Sequence, residues 1–155
     1  MEAIIRKNSF RQLKELIVIN NDRFEGYKTA ASETENSELK VLFNNYSLQS
    51  KQFSHDLLDL LEEENYAPKP GETKISGKLF RAYMDVKSYL YSKNVRGILC
   101  SCEFGEKEVK KTYDEVLHNS KGLKNEALCV IRRQWIELQK AQFKIRIMQY
   151  KLYIG

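Results

Sequence analysis

Residues 66–91 read YAPKPGETKISGKLFRAYMDVKSYLY, and this stretch decides how the chain folds. Its first third contains both prolines of the chain, Pro68 and Pro70, followed by Gly71. A proline lacks the helical N–H donor and clashes with the preceding turn, so no helix continues through Tyr66–Thr73. From Ser76, a capping residue, apolar side chains recur at helical spacing as Leu79, Tyr83, Val86 and Leu90. This predicts a helix over about 77–91, roughly 23 Å long at about 1.5 Å per residue.

Outward from this stretch, in both directions, the same three- and four-residue spacing persists and no sustained alternation interrupts it, which predicts an all-α chain. Toward the N-terminus, a helix over about 9–33, with Ser9 as its cap, carries Phe10, Leu13, Ile17, Phe24, Tyr27 and Ala31 on one stripe, with Asn20 among them. A turn at Thr34–Ser37 leads into a second helix reaching about Asn65, with Leu39, Leu42, Tyr46, Phe53, Leu57 and Leu60 inward and Gln49 between them. Toward the C-terminus, Asn94 caps a helix over about 95–118 with Leu99, Cys102, Val109, Tyr113 and Val116 inward, and Glu106 on that stripe. After a turn at Asn119–Gly122, a last helix carries Leu128, Ile131, Trp135, Leu138, Ile145 and Leu152, interrupted by Gln142 and Gln149. The four outer helices each reach roughly 36 Å or more, whereas the central one is short. Four long helices and one short one predict a four-helix bundle in which the short helix crosses over between the second and third long helices. Those two then run parallel, as in the ferritin-like arrangement. A flat five-helix meander is the alternative.

The chain has 155 residues, 42% of them hydrophobic and 30% charged, a balance that predicts one soluble domain over 1–155. Seven glycines and two prolines are too few for a loop-rich β fold, and 11% aromatics are too many for a disordered chain. No apolar run approaches the roughly 20 residues that span a bilayer, and Glu2, Arg6 and Lys7 break up any secretory apolar region, so the expected location is cytoplasmic, without a membrane partner. Cys100, Cys102 and Cys129 form no CxxC pair, and with two histidines in the chain a structural zinc site is not expected. The net charge of +5 is concentrated toward the C-terminus, residues 121–155 holding eight Lys or Arg against two Glu. These cations read as the scattered solvent face of a helix, and nucleic acid is not an expected partner.

Bundles of this shape often hold two metals between inward carboxylates and Glu-x-x-His pairs. The spacing survives here as Asp22 and Glu25, Gln52 and His55, Glu103 and Glu106, and Gln139 and Gln142, but most of these residues are not good ligands. Amides are weak metal donors, and Glu25 and His55 fall off the inward stripe. Glu106 alone is both acidic and inward. The midline positions Asn20, Gln49, Glu106 and Gln142 therefore read as hydrogen-bonded polar positions that fix helix register. A desolvated Glu106 needs a cation or several donors to stay charged. No nucleophile elbow or phosphate loop is present, His118 reads as a helix-terminal cation, and no catalytic, cofactor-binding or metal residue is assigned.

The last helix also has a second apolar line, Cys129, Ile136, Phe143, Ile147, Tyr150 and Ile154. A simple bundle buries one stripe per helix. The second line is expected to meet either the crossover helix or the same surface of another copy, giving a homodimer through Ile136, Phe143, Ile147 and Tyr150.

Several short stretches, in order, carry a family resemblance: Asn20-Asn21-Asp22 with Gly26-Tyr27, Gln52-Phe53 with Asp56-Leu57, and Ser76-Gly77-Lys78-Leu79 through Arg81 to Met84-Asp85-Val86-Lys87. Cys102-Glu103 with Gly105-Glu106 and Tyr113 complete the set. Together they resemble the bacterial ferritin-like four-helix-bundle family known as domain of unknown function 2383. The resemblance implies a ferritin-like bundle with a crossover helix and no established activity, and His at the position of Gln142. The expected function is that of a non-enzymatic bundle acting through protein contacts. The alternative is a ferritin-like metal-binding or oxidative-stress protein with a degraded di-metal site at Glu106 and Glu103.

Overall fold

The computed structural model describes residues 1–63 and 94–154, the side chain of Glu63 excepted, and these are helical almost throughout, with no strand among them. Helix α1 spans Glu2–Glu33, α2 Ser37–Glu63, α3 Val95–His118 and α4 Asn125–Ile154, with a 3-10 turn at Ser120–Gly122 between the last two. The short helix expected over 77–91 lies outside the described residues.

Of the expected caps Asn94 is one, and the turn before α2 supplies another, not among those expected, at Asn36. Asn94 Oδ1 accepts from the Gly97 N–H at 3.0 Å and starts α3. At the α1–α2 turn, Asn36 Oδ1 accepts from the Leu39 N–H at 3.0 Å, while Thr34 Oγ1 accepts from the Asn36 N–H. Ser9 is not a cap, because α1 starts two turns earlier, at Glu2. Instead the Ser9 hydroxyl donates to the Gly122 carbonyl at 2.6 Å, tying α1 to the 3-10 turn. Gly122 has to be small there: a Cβ would lie 2.6 Å from both Ile5 Cγ2 and Ser9 Oγ.

Hydrogen bonds between helices fix their directions. Ser54 of α2 donates to Asn21 of α1, while Arg23 further along α1 reaches back to Ser50 and Tyr46, so α1 and α2 form the expected antiparallel hairpin. Gln12 meets the Asn119 carbonyl, Asn20 meets Tyr113 and Arg23 meets Glu106, so α3 runs antiparallel to α1 as well. Consequently α2 and α3 run parallel, and Glu63 and Val95 lie at opposite ends of the bundle. Trp135 with Asp114 and Arg146 with Glu103 set α4 antiparallel to α3, while Tyr46 with the Ala141 carbonyl joins α2 to α4.

The core divides into two apolar clusters. One holds Leu13, Leu16, Ile17, Leu57, Val109, Ile131 and Leu138; the other holds Tyr27, Leu39, Phe43, Leu99, Ala141 and Ile145. Each fully buried Leu, Ile or Phe contributes about 1.5–3 kcal/mol. Some expected core positions are displaced to the rim. Phe10, Leu128 and Trp135 are only partly buried, and Leu152 is exposed. Trp135 sits at the α3–α4 edge, its indole N–H donating to Asp114 at 2.6 Å, and Gln134 takes the inward place. No helix among the described residues is long and apolar enough to cross a membrane.

Candidate functional site

Between the two apolar clusters the midline turns polar. Arg23 of α1 and Glu106 of α3 meet there, Nε to Oε1 at 2.8 Å, with side chains 2% and 1% exposed. Tyr27, one helical turn beyond Arg23, donates its hydroxyl to the same carboxylate oxygen at 2.5 Å. From α2, Ser50 Oγ accepts from Arg23 Nη1 at 2.7 Å and the Tyr46 carbonyl accepts at 3.3 Å. The guanidinium also lies over the Tyr27 and Tyr46 rings, 5.2 Å from each centroid. Such cation–π contacts strengthen when the site is dry.

Burial would by itself lower the Arg23 pKa, but Glu106 and the two tyrosines outweigh it and hold it above its usual value. Burial, reinforced by the Glu106 charge, pushes the Tyr27 and Tyr46 hydroxyls and the Cys102 thiol up, so all three stay protonated. A thiol held this way is a poor nucleophile and a poor metal ligand. Glu106 Oε1 thus has a cation and a donor, while Glu106 Oε2 and Arg23 Nη2, both buried, find no hydrogen-bond partner among the described residues.

A second layer lies one turn toward the start of α1. Asn20 Nδ2 donates to the Tyr113 hydroxyl at 2.6 Å and to the Leu16 carbonyl at 2.8 Å. The Tyr113 hydroxyl donates to Gln134 Oε1 at 2.7 Å, and Gln134 Nε2 donates to the Phe53 carbonyl at 3.2 Å. All four helices are thereby tied through buried, neutral hydrogen bonds.

The expected register set is only partly assembled. Asn20 and Glu106 are buried and bonded, but Gln49 is half-buried with an Oε1 that finds no hydrogen-bond partner. Gln142, though buried, lines a groove between α3 and α4 rather than joining the midline bonds. The carboxylates considered for metal binding are dispersed. Glu25 and His55 are exposed, Gln52 bonds to Asp56, and Glu103 faces Arg146 at 2.5 Å and Lys107 at 3.5 Å. Burial favours the neutral form of Glu103, but Arg146, Gln149 and Lys107 prevail and hold its pKa below the usual carboxylate value. Among the described residues no cluster of three or more His, Cys, Asp and Glu could hold a metal ion.

Arg23, Ser50 and Gln134 were not among the expected inward residues. The signal was present for each: Arg23 follows Asn20 by three and precedes Tyr27 by four, Ser50 falls between Tyr46 and Phe53, and Gln134 between Ile131 and Leu138. Positions between two inward neighbours at those steps are inward too, whatever their polarity.

Asp22, next to Arg23 in sequence but on another face of α1, is half-buried with neither carboxylate oxygen hydrogen-bonded, and burial pushes its pKa up to about 6. Above that pH the native state carries a charge its surroundings disfavour. Between about 6 and the usual 3.8 the native state takes up a proton that the unfolded chain does not, so the penalty fades as the pH falls. Asp22→Asn is expected to raise stability at pH 7.5 by about 1 kcal/mol, a figure already reduced for partial solvent access. Denaturant melts of both proteins at pH 7.5 and pH 4 check this: the advantage of the variant should shrink at the lower pH, and an advantage independent of pH would contradict it.

The molecule is thus a helical bundle whose midline is closed by an internal ion pair and a neutral hydrogen-bond relay. The chain belongs to the family described as Domain of unknown function (DUF2383), which matches residues 8–119 and so covers most of α1 and all of α2 and α3. No curated protein and no solved structure gives a significant match.

Proposed function

We propose that this protein is a non-enzymatic, ferritin-like bundle of the cytoplasm that acts through contacts with other proteins. The observation that carries this reading is the Arg23–Glu106 pair. A di-metal bundle needs several converging anionic oxygens, and here the inward carboxylate is already neutralised by a guanidinium of the same chain. The ferritin-like part rests on the parallel course of α2 and α3. The contact surface is the outer face of α4, where Ile136, Phe143, Ile147 and Tyr150 are exposed. A second copy meeting the same face is one form of such a contact, and the charges along its edges bear on the choice of occupant.

The competing reading is a metal or oxidant-handling protein built on Glu106 and Glu103, and metal analysis separates the two. Protein produced in medium supplemented with iron and manganese, and purified without chelator, is expected to hold below about a tenth of an equivalent of either. It should show no thermal shift on adding metal, since a ligand that binds only the native state raises the apparent stability. Stoichiometric metal lost on substituting Glu106 would overturn the proposal.

A further inference from the structure

On α4 the apolar residues Ile136, Phe143, Ile147, Tyr150 and Ile154 follow one another at steps of seven, four, three and four, and all are exposed, Phe143 at 62%. With about 100° of rotation per residue they form one line about 60° wide. The basic residues of this helix are not scattered, as the sequence alone suggests. Arg133, Lys140, Lys144 and Lys151, at steps of seven, four and seven, form a row along one edge of the apolar line. Arg132 and Arg146, joined by Lys110 of α3, border the other edge. Between Ile136 and Phe143 a groove of about 350 Å³ opens toward α3, with Lys110, Gln142 and Arg146 in its wall. Lys140 and Arg146 make exposed ion pairs with Glu137 and Glu103, of the kind that contributes little. Among the described residues Arg133, Lys144 and Lys151 have no ion-pair partner.

This charge pattern bears on what covers the face. In a two-fold pair each helix presents the same patch to its copy. With the two α4 helices antiparallel, the Arg133–Lys151 row meets itself; with them parallel, it meets Arg132, Arg146 and Lys110. Either arrangement sets cations against cations, with only Glu126 and Glu137 on the helix to offset them. A flat bilayer surface would satisfy the charges but has no side chain to place in the groove.

We infer that this face binds an acidic amphipathic helix of another protein, whose apolar side chains at three- and four-residue spacing meet Phe143, Ile147 and Tyr150 while its Asp and Glu flanks meet the two cationic edges. The inference rests on the reading that the protein works through contacts, and it names the chemistry of the partner.

The test uses two synthetic peptides of about 20 residues, long enough to form a helix. Both carry the same leucine stripe; one is flanked by Glu and the other by Lys. In fluorescence anisotropy against the full chain, the Glu peptide is expected to bind at least about tenfold more tightly than the Lys peptide, and more weakly as salt is added. Phe143→Asp, and separately Lys144→Glu with Lys151→Glu, should each weaken it by about tenfold without changing the thermal melt, because these side chains are exposed. Equal binding of the two peptides, or no binding of either, overturns the inference. A dimer of the chain alone that Phe143→Asp dissolves in sedimentation also overturns it, while leaving the contact reading intact. Binding to phosphatidylglycerol vesicles but to neither peptide overturns both.

Discussion

Glu106→Gln is expected to cost about 3–5 kcal/mol of folding stability, because it leaves the Arg23 guanidinium buried without a counter-charge. The substitution keeps the shape of the side chain and an acceptor for Arg23 Nε and the Tyr27 hydroxyl, so little but the charge is lost. Arg23 does not escape by losing its proton, since a guanidinium stays protonated over the whole accessible pH range. Nor can it reach water, because its side chain is 2% exposed. For a chain of this length the loss corresponds to a fall of about 10 °C or more in Tm, read by calorimetry or circular dichroism. A fall of only a degree or two would mean that the pair is solvated and contributes as surface pairs do.

The second large effect is that of Arg23→Met, and it differs in its pH dependence. Methionine fills much of the arginine volume but leaves the Glu106 carboxylate with only the Tyr27 hydroxyl. Unlike arginine in the first variant, this carboxyl can shed its charge by taking up a proton. The sign follows from linkage: where the native state binds a proton that the unfolded chain does not, lowering the pH favours the native state. The variant is therefore expected to lose about 3–5 kcal/mol at pH 8 and clearly less at pH 5.5, whereas Glu106→Gln loses the same at both. Urea unfolding at the two pH values gives the comparison. A pH-independent loss in Arg23→Met would show that Glu106 is not the group left uncompensated.

Much of this architecture is written in the periodicity. The bounds of α3, the turn at Asn119–Gly122 and the inward placement of Leu13, Tyr27, Leu57, Val109, Tyr113, Ile131 and Leu138 all follow from apolar spacing and a few turn residues. The site was legible only in half. Glu106 stands out as an acid on an apolar stripe, but its partner was hidden, because an arginine in a helix is ordinarily solvated and hydrophobic counting skips it. Two facts together would have exposed it: Arg23 lies between Asn20 and Tyr27 at inward spacing, and a lone buried carboxylate demands a cation. The start of α1 was misplaced for a related reason. Residues 2–8 bury little surface, so no apolar stripe announces them, and Ser9 resembles a cap although it is used as a tie to Gly122. The apolar line on the outer face of α4 is legible from its spacing, whereas its cations look scattered along the sequence because neighbours in the row lie four or seven residues apart.

The claim on which the rest depends is that Arg23 and Glu106 neutralise each other and close the centre of the bundle. A double-mutant cycle of Arg23→Met and Glu106→Gln, followed by urea unfolding at pH 8, tests it most directly. The two losses should fall short of additivity by about 2–3 kcal/mol, the double variant losing well below the sum of the two single ones. Losses that add to within about 0.5 kcal/mol would contradict it, since independent residues behave that way.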